Sequence, residues 1–137
     1  FIKMVGSYDI LKDYKIIACT NKPLDEEFLF KNSNVINHVG LSSNEYIEKC
    51  KEVQFVLSTA RGETFGYSVL DAVVEGCIPI VPKWACYPDI FPEKVMYGFL
   101  HEIESKLKLK VSHKELEEIV SPYHYVNTTK NLFEAVK

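Results

Sequence analysis

The sequence predicts an α/β domain built on a Rossmann-like, doubly wound parallel sheet. Three observations carry this. Short runs rich in Val and Ile are apolar on both faces, as strands covered by helices on each side must be. Helical stretches separate those runs in regular alternation. The 137 residues, 47% hydrophobic and 26% charged with 6 Gly and 6 Pro, suffice for one domain with its own core and exclude disordered or low-complexity chain.

The elements follow in order. A first strand is predicted over 14–19. A helix over 24–31 enters through Pro23 and the acidic turn Asp25, Glu26 and Glu27, which favours the positive end of a helix dipole. A strand over 34–39 comes next, then a helix over 43–50 that opens on Ser43 and Asn44 and sets Tyr46, Ile47 and Cys50 on one face. The run 53–58 reads as a strand, 66–75 as a helix stopped by Gly76, and 77–81 as a buried strand. Beyond Pro92 a short strand over 95–99 leads into a helical C-terminal tail over 102–107, 112–120 and 128–136. Ser112 followed by Glu115 forms a capping-box pattern.

The net charge of −3 argues against a basic surface that coats nucleic acid, while leaving open a nucleic-acid acceptor elsewhere in a larger protein. No apolar run approaches the roughly 20 residues of a membrane span, and no signal-peptide pattern opens the chain. Cys19, Cys50, Cys77 and Cys86 lack C-x-x-C spacing, so the expected compartment is the reducing cytoplasm. His101, His113 and His124 have no metal-ligand spacing, and no protein metal site is predicted.

The chemistry concentrates between Ser58 and Pro82. There a strand ends, a loop with Gly62 and Gly66 follows, and a helix begins. In open α/β sheets such loops, beyond the carboxyl ends of strands, hold ligands. The amides of Gly66, Tyr67 and Ser68 would open the helix and favour a phosphate or diphosphate. Glu63 and Asp71 flank that cradle. An ionised carboxylate only accepts hydrogen bonds and pairs well with the hydroxyls of a sugar. One acid on each side of a diphosphate site matches a nucleotide-sugar, with a hexose at one end and a ribose at the other.

Glu63, seven residues and Asp71, around Phe65-Gly66 and followed by Gly76-Cys77-Ile78-Pro79-Ile80-Val81, resemble the E-x7-E region of retaining GT-B glycosyltransferases of the family 4 type. That resemblance implies the C-terminal, donor-binding lobe of a two-lobed enzyme. It implies that Glu63 is the catalytic acid holding sugar hydroxyls, that Thr64, Phe65, Gly66, Tyr67 and Ser68 contact sugar and phosphate, and that Asp71 holds the ribose diol. His38-Val39-Gly40-Leu41 resembles the loop where the base lodges against backbone, which adds Gly40 to the donor site. Arg61 and Lys83 are nearby cations, of which Arg61 is the candidate for the phosphates.

Tyr87-Pro88-Asp89-Ile90 stands where the family carries Gly-Ile-Pro-Glu-Ile, and 121–126 with a closing helix is similar to the family's C-terminal tail. Asp71 and Thr64 depart from the usual Glu and Gly. The family's Arg and Lys pair for the diphosphate has no counterpart. Residues 1–12 look like the helix after the first strand, so the resemblance implies a domain truncated at its N-terminus, with that strand and the acceptor lobe missing. Cys77, Pro79, Pro82-Lys83 and 87–92 add a narrower likeness to the branch that includes tRNA-queuosine mannosyltransferases.

The implied reaction is transfer of a hexose from a UDP-sugar or GDP-sugar to an acceptor hydroxyl, with no cofactor. The acceptor stays open among glycan, lipid, small molecule and modified nucleoside. Two alternatives share the fold: a non-catalytic nucleotide-binding or interaction domain, and a GT-B type nucleotide-sugar epimerase. Tyr67, Tyr87 and Trp84 serve equally well as sugar-pocket lining or as packing.

Overall fold

The computed structural model describes residues 9–123. They form an α/β structure whose strands are all parallel, in two small sheets. Two compact units divide the chain, one up to Glu52 and one from Val53.

In the first unit a 3-10 turn over Asp9–Asp13 precedes β1 (Ile16–Thr20), α1 (Glu26–Lys31), β2 (Val35–Val39) and α2 (Ser43–Cys50). β1 and β2 pair from Ile16↔Val35 to Thr20↔Val39. Ala18, Phe28 and Val35 make the buried core, with Ile16, Leu24 and Leu29 packed against it. Asn37 ties the connection to the strands: its Oδ1 accepts from the Leu24 amide, and its Nδ2 donates to the Ala18 carbonyl and the Thr20 hydroxyl, all at 2.9 Å. The acidic entrance to α1 works as expected, with Asp25 accepting from the Phe28 amide. α2 is capped by Ser42 rather than Ser43, because only Ser42 has a Glu at the third helical position, Glu45, to complete a reciprocal capping box.

The second unit holds β3 (Phe55–Leu57), α3 (Tyr67–Val74), β4 (Ile78–Pro82), a short α4 (Tyr87–Ile90), β5 (Met96–Tyr97), α5 (Ile103–Lys106) and α6 (His113–Val120), with the sheet order β3–β4–β5. β4 is buried at every position, as a central parallel strand is. Its two prolines fit the ladder. Ile78 and Ile80 bond toward β3, so Pro79 faces the other side, where β5 pairs only from Val81 onward. Val69, Leu70 and Val73 of α3 pack with Val81, Tyr87, Phe91, Val95, Met96 and Leu116 in the main core. α3 ends in a Schellman motif: Gly76, at φ 94°, donates to Val73, and Cys77 donates to Ala72.

The sequence reading missed α4, and the strand expected over 95–99 shrinks to two residues after a 3-10 turn over Glu93–Val95. Ser112 and Glu115 form the expected capping box on α6. The helix expected over 128–136, and most of the one over 1–12, fall outside the described residues. Among the described residues no helix is long and apolar enough to cross a membrane.

Candidate functional site

The loop from Ser58 to Gly66 joins the carboxyl end of β3 to the start of α3. Its first residues are held by hydrogen bonds from other elements. The Ser58 amide donates to the Ile80 carbonyl at 3.0 Å, which ends the ladder between β3 and β4. The Ser58 carbonyl accepts from the Tyr97 hydroxyl at 2.9 Å, and the Ser58 hydroxyl lies 2.6 Å from the Tyr87 hydroxyl. The Ala60 carbonyl accepts from the Trp84 indole N–H at 2.9 Å. Three aromatic side chains from the β4–β5 region therefore fix the loop's opening.

The middle of the loop folds around Glu63. Its Oε1 accepts from the Thr64 amide at 3.0 Å and the Phe65 amide at 3.4 Å. The amides of Gly66 and Phe65, with that of Thr64, hold the Glu63 carboxyl below the usual carboxylate range. The acid is ionised near neutrality and sits as an internal anion on the amides that the sequence reading assigned to a donor. Gly66 closes the loop as the N-cap of α3, at φ 72° and ψ 36°. This left-handed conformation suits glycine, and a Cβ here would lie 2.9 Å from Cε1 of the Tyr87 ring.

Asp71 lies on α3 four residues after Tyr67 and three after Ser68, so the three share a helix face, and all are exposed. Desolvation by the surrounding protein pushes the Asp71 carboxyl up, opposite to Glu63. Phe65 and Tyr67 lie with ring centroids 4.4 Å apart, and Tyr67 is 68% exposed beside the loop. Arg61 is exposed on the loop. Lys83 is engaged with Glu93 at 2.9 Å.

Glu63, Thr64, Phe65, Gly66, Tyr67, Ser68, Asp71 and Arg61 thus belong to one loop and the helix it opens, in the second unit. Gly40 belongs to the first unit, where it ends β2 at φ 66° and donates to the Thr20 carbonyl at 2.9 Å. Chemically, the loop presents amide donors suited to an anion, beside a carboxylate suited to hydroxyls.

No family model matches the chain. It is 32% identical over 101 residues to the tRNA-queuosine alpha-mannosyltransferase of Drosophila melanogaster, an alignment covering 69% of this chain and 27% of that protein. The chain is similar to a glycosyltransferase. It spans about a quarter of that relative's length.

Sequence reasoning left Ser58 and Tyr97 out of the site and Tyr87 undecided. Tyr87 is 1% exposed, so it packs and does not line an open pocket, whereas Trp84 is 36% exposed. No local pattern marks these contacts, since Ser58 and Tyr87 are 29 positions apart.

Proposed function

We propose that this chain is the donor-binding lobe of a retaining GT-B glycosyltransferase of the family 4 type. The enzyme moves a hexose from a nucleoside diphosphate to an acceptor hydroxyl. The Glu63–Gly66 loop carries this reading: an ionised carboxylate and converging amides stand at the carboxyl end of a parallel strand, in a chain similar to a mannosyltransferase. The relative's name favours mannose as the hexose and the queuosine nucleoside of tRNA as the acceptor.

In this proposal donor binding exchanges one anion for another. The diphosphate takes amides that Glu63 occupies, and the freed carboxylate turns to the hydroxyls of the hexose. Asp71 accepts from the ribose diol, Tyr67 and Ser68 border the phosphates, and Arg61 adds positive charge. Transfer breaks the bond from C1 of the hexose to the diphosphate oxygen and forms one to the acceptor oxygen on the same face. The acceptor proton passes to the departing diphosphate. The protein contributes positioning and stabilisation of that developing charge. Neither metal nor organic cofactor enters the scheme.

The test uses the full-length protein carrying this chain, with GDP-mannose or UDP-sugars and queuosine-containing tRNA, and measures sugar attached to the nucleoside. Loss of a hydrogen bond to a charged group predicts that Glu63→Ala slows transfer roughly 10- to 100-fold. Asp71→Ala raises the donor KM by a smaller factor. Wild-type rates in both variants would overturn the proposal. Release of an epimerised free sugar would point to the epimerase alternative.

A further inference from the structure

We propose that Tyr87 is the positioning residue of the donor loop, bracing both of its ends at once; this rests on the donor-binding reading above. Its hydroxyl lies 2.6 Å from the Ser58 hydroxyl, where the loop leaves β3. Its ring edge occupies the space that a side chain at position 66 would need, where the loop enters α3. One buried side chain thus touches the first and the last residue of the loop, and Arg61 to Phe65 hang between those two points. Glu63 folds onto the Thr64 and Phe65 amides inside that braced span, and in this proposal the fixed ends limit how far the span opens. Tyr87 itself is buried, with Phe91 packed 6.0 Å away between ring centroids, so it acts through the loop and not on substrate.

The environment of Tyr87 explains why it can do this. It opens α4, reached through a tight turn in which Ala85 adopts φ 58°. The turn aims Tyr87 into the core formed by Val69, Leu70 and Val81, while Tyr97 fixes the Ser58 carbonyl from β5. The Ser58 hydroxyl accepts from the Ala60 amide at 3.4 Å and meets the Tyr87 hydroxyl at the shorter distance of 2.6 Å, so Tyr87 is its closer partner. Phenylalanine at 87 keeps the ring and the packing and deletes only that bond.

Hydrogen exchange of the full-length protein, followed by mass spectrometry on the peptide covering 59–67, tests the brace without any donor. Tyr87→Phe is expected to speed exchange there roughly 2- to 10-fold, the loss of one neutral hydrogen bond, with peptides from β4 unchanged. The donor KM should rise by a similar factor at unchanged kcat. Ser58→Ala removes that bond together with the one its hydroxyl accepts from the Ala60 amide at 3.4 Å, so it should speed exchange over 59–67 at least as much, and Tyr87→Phe should add nothing to it. Unchanged exchange over 59–67 in both single variants would overturn the brace, as would acceleration spread evenly through β3, β4 and β5. Should the wild-type protein transfer no sugar, the donor reading fails, while the exchange result still decides whether Tyr87 holds the loop.

Discussion

The two strand-to-helix turns that contain a left-handed glycine solve the same geometric problem in different ways. After β2, Gly40 turns the chain at φ 66° with nothing within 4 Å of where its Cβ would stand. Two residues later Ser42 caps α2, and Glu45 answers from the helix itself, accepting from the Ser42 amide at 2.8 Å and its hydroxyl at 2.6 Å. After β3, Gly66 turns the chain at φ 72° against the Tyr87 ring. Its N-cap has no side chain, and the acid serving the nearby amides is Glu63, from the loop before the helix. Both acids are held below the usual range, Glu45 by Ser42 and Glu63 by backbone amides. The first acid is fixed by helix geometry. The second comes from the loop before its helix, and the proposed exchange with a donor diphosphate depends on its being able to leave.

Alanine at the two glycines separates the turns most sharply. Gly40→Ala should cost only the left-handed penalty, about 1–2 kcal/mol. Gly66→Ala adds overpacking against Tyr87, for a total of about 3 kcal/mol. Urea unfolding monitored by tyrosine and tryptophan fluorescence reads the difference, and equal losses would mean that the Tyr87 ring yields freely. A smaller change is expected from Ser42→Ala, about 1 kcal/mol by loss of a capping side chain.

Acid should report on the hold of the Glu63 carboxylate. Because the folded-state pKa of Glu63 is depressed, its hold on the loop is complete above the ordinary carboxylate range and is lost as pH falls through the lower folded value. Corrected for the intrinsic pH dependence of exchange, the amides of Thr64 and Phe65 should become less protected on acidification. In Glu63→Gln that dependence should vanish. A flat profile in the wild type would mean that the carboxylate contributes nothing to the loop.

Much of this was legible in the sequence, because the relevant signals are local. Two-sided apolar runs located β1 to β4 within one or two residues, and the Ser112–Glu115 spacing located the start of α6. Glu63, Gly66 and Asp71 were legible as candidates too, since they lie within one loop and the helix it opens, whereas Gly40 lies in the first unit. What stayed hidden depends on distant partners. Nothing around Tyr87 announces that its hydroxyl meets Ser58, and nothing around Gly66 announces that a ring fills the place of its side chain. Glu63 read as an acid flanking the amide cradle and holding sugar hydroxyls. Its fold back onto Thr64 and Phe65 is a property of the loop's closure, which the spacing of residues does not encode.

Pro82, at the end of β4, has a consequence beyond its tolerance there. Were the ladder from Ile78 and Ile80 continued, the amide of residue 82 would donate to the Ser58 carbonyl. Proline has no such hydrogen. That carbonyl takes the Tyr97 hydroxyl instead, and the chain parts from the sheet at Ser58. The loop's starting point is thus punctuated by a missing proton on the neighbouring strand, a full stop written in one segment of the chain and obeyed in another.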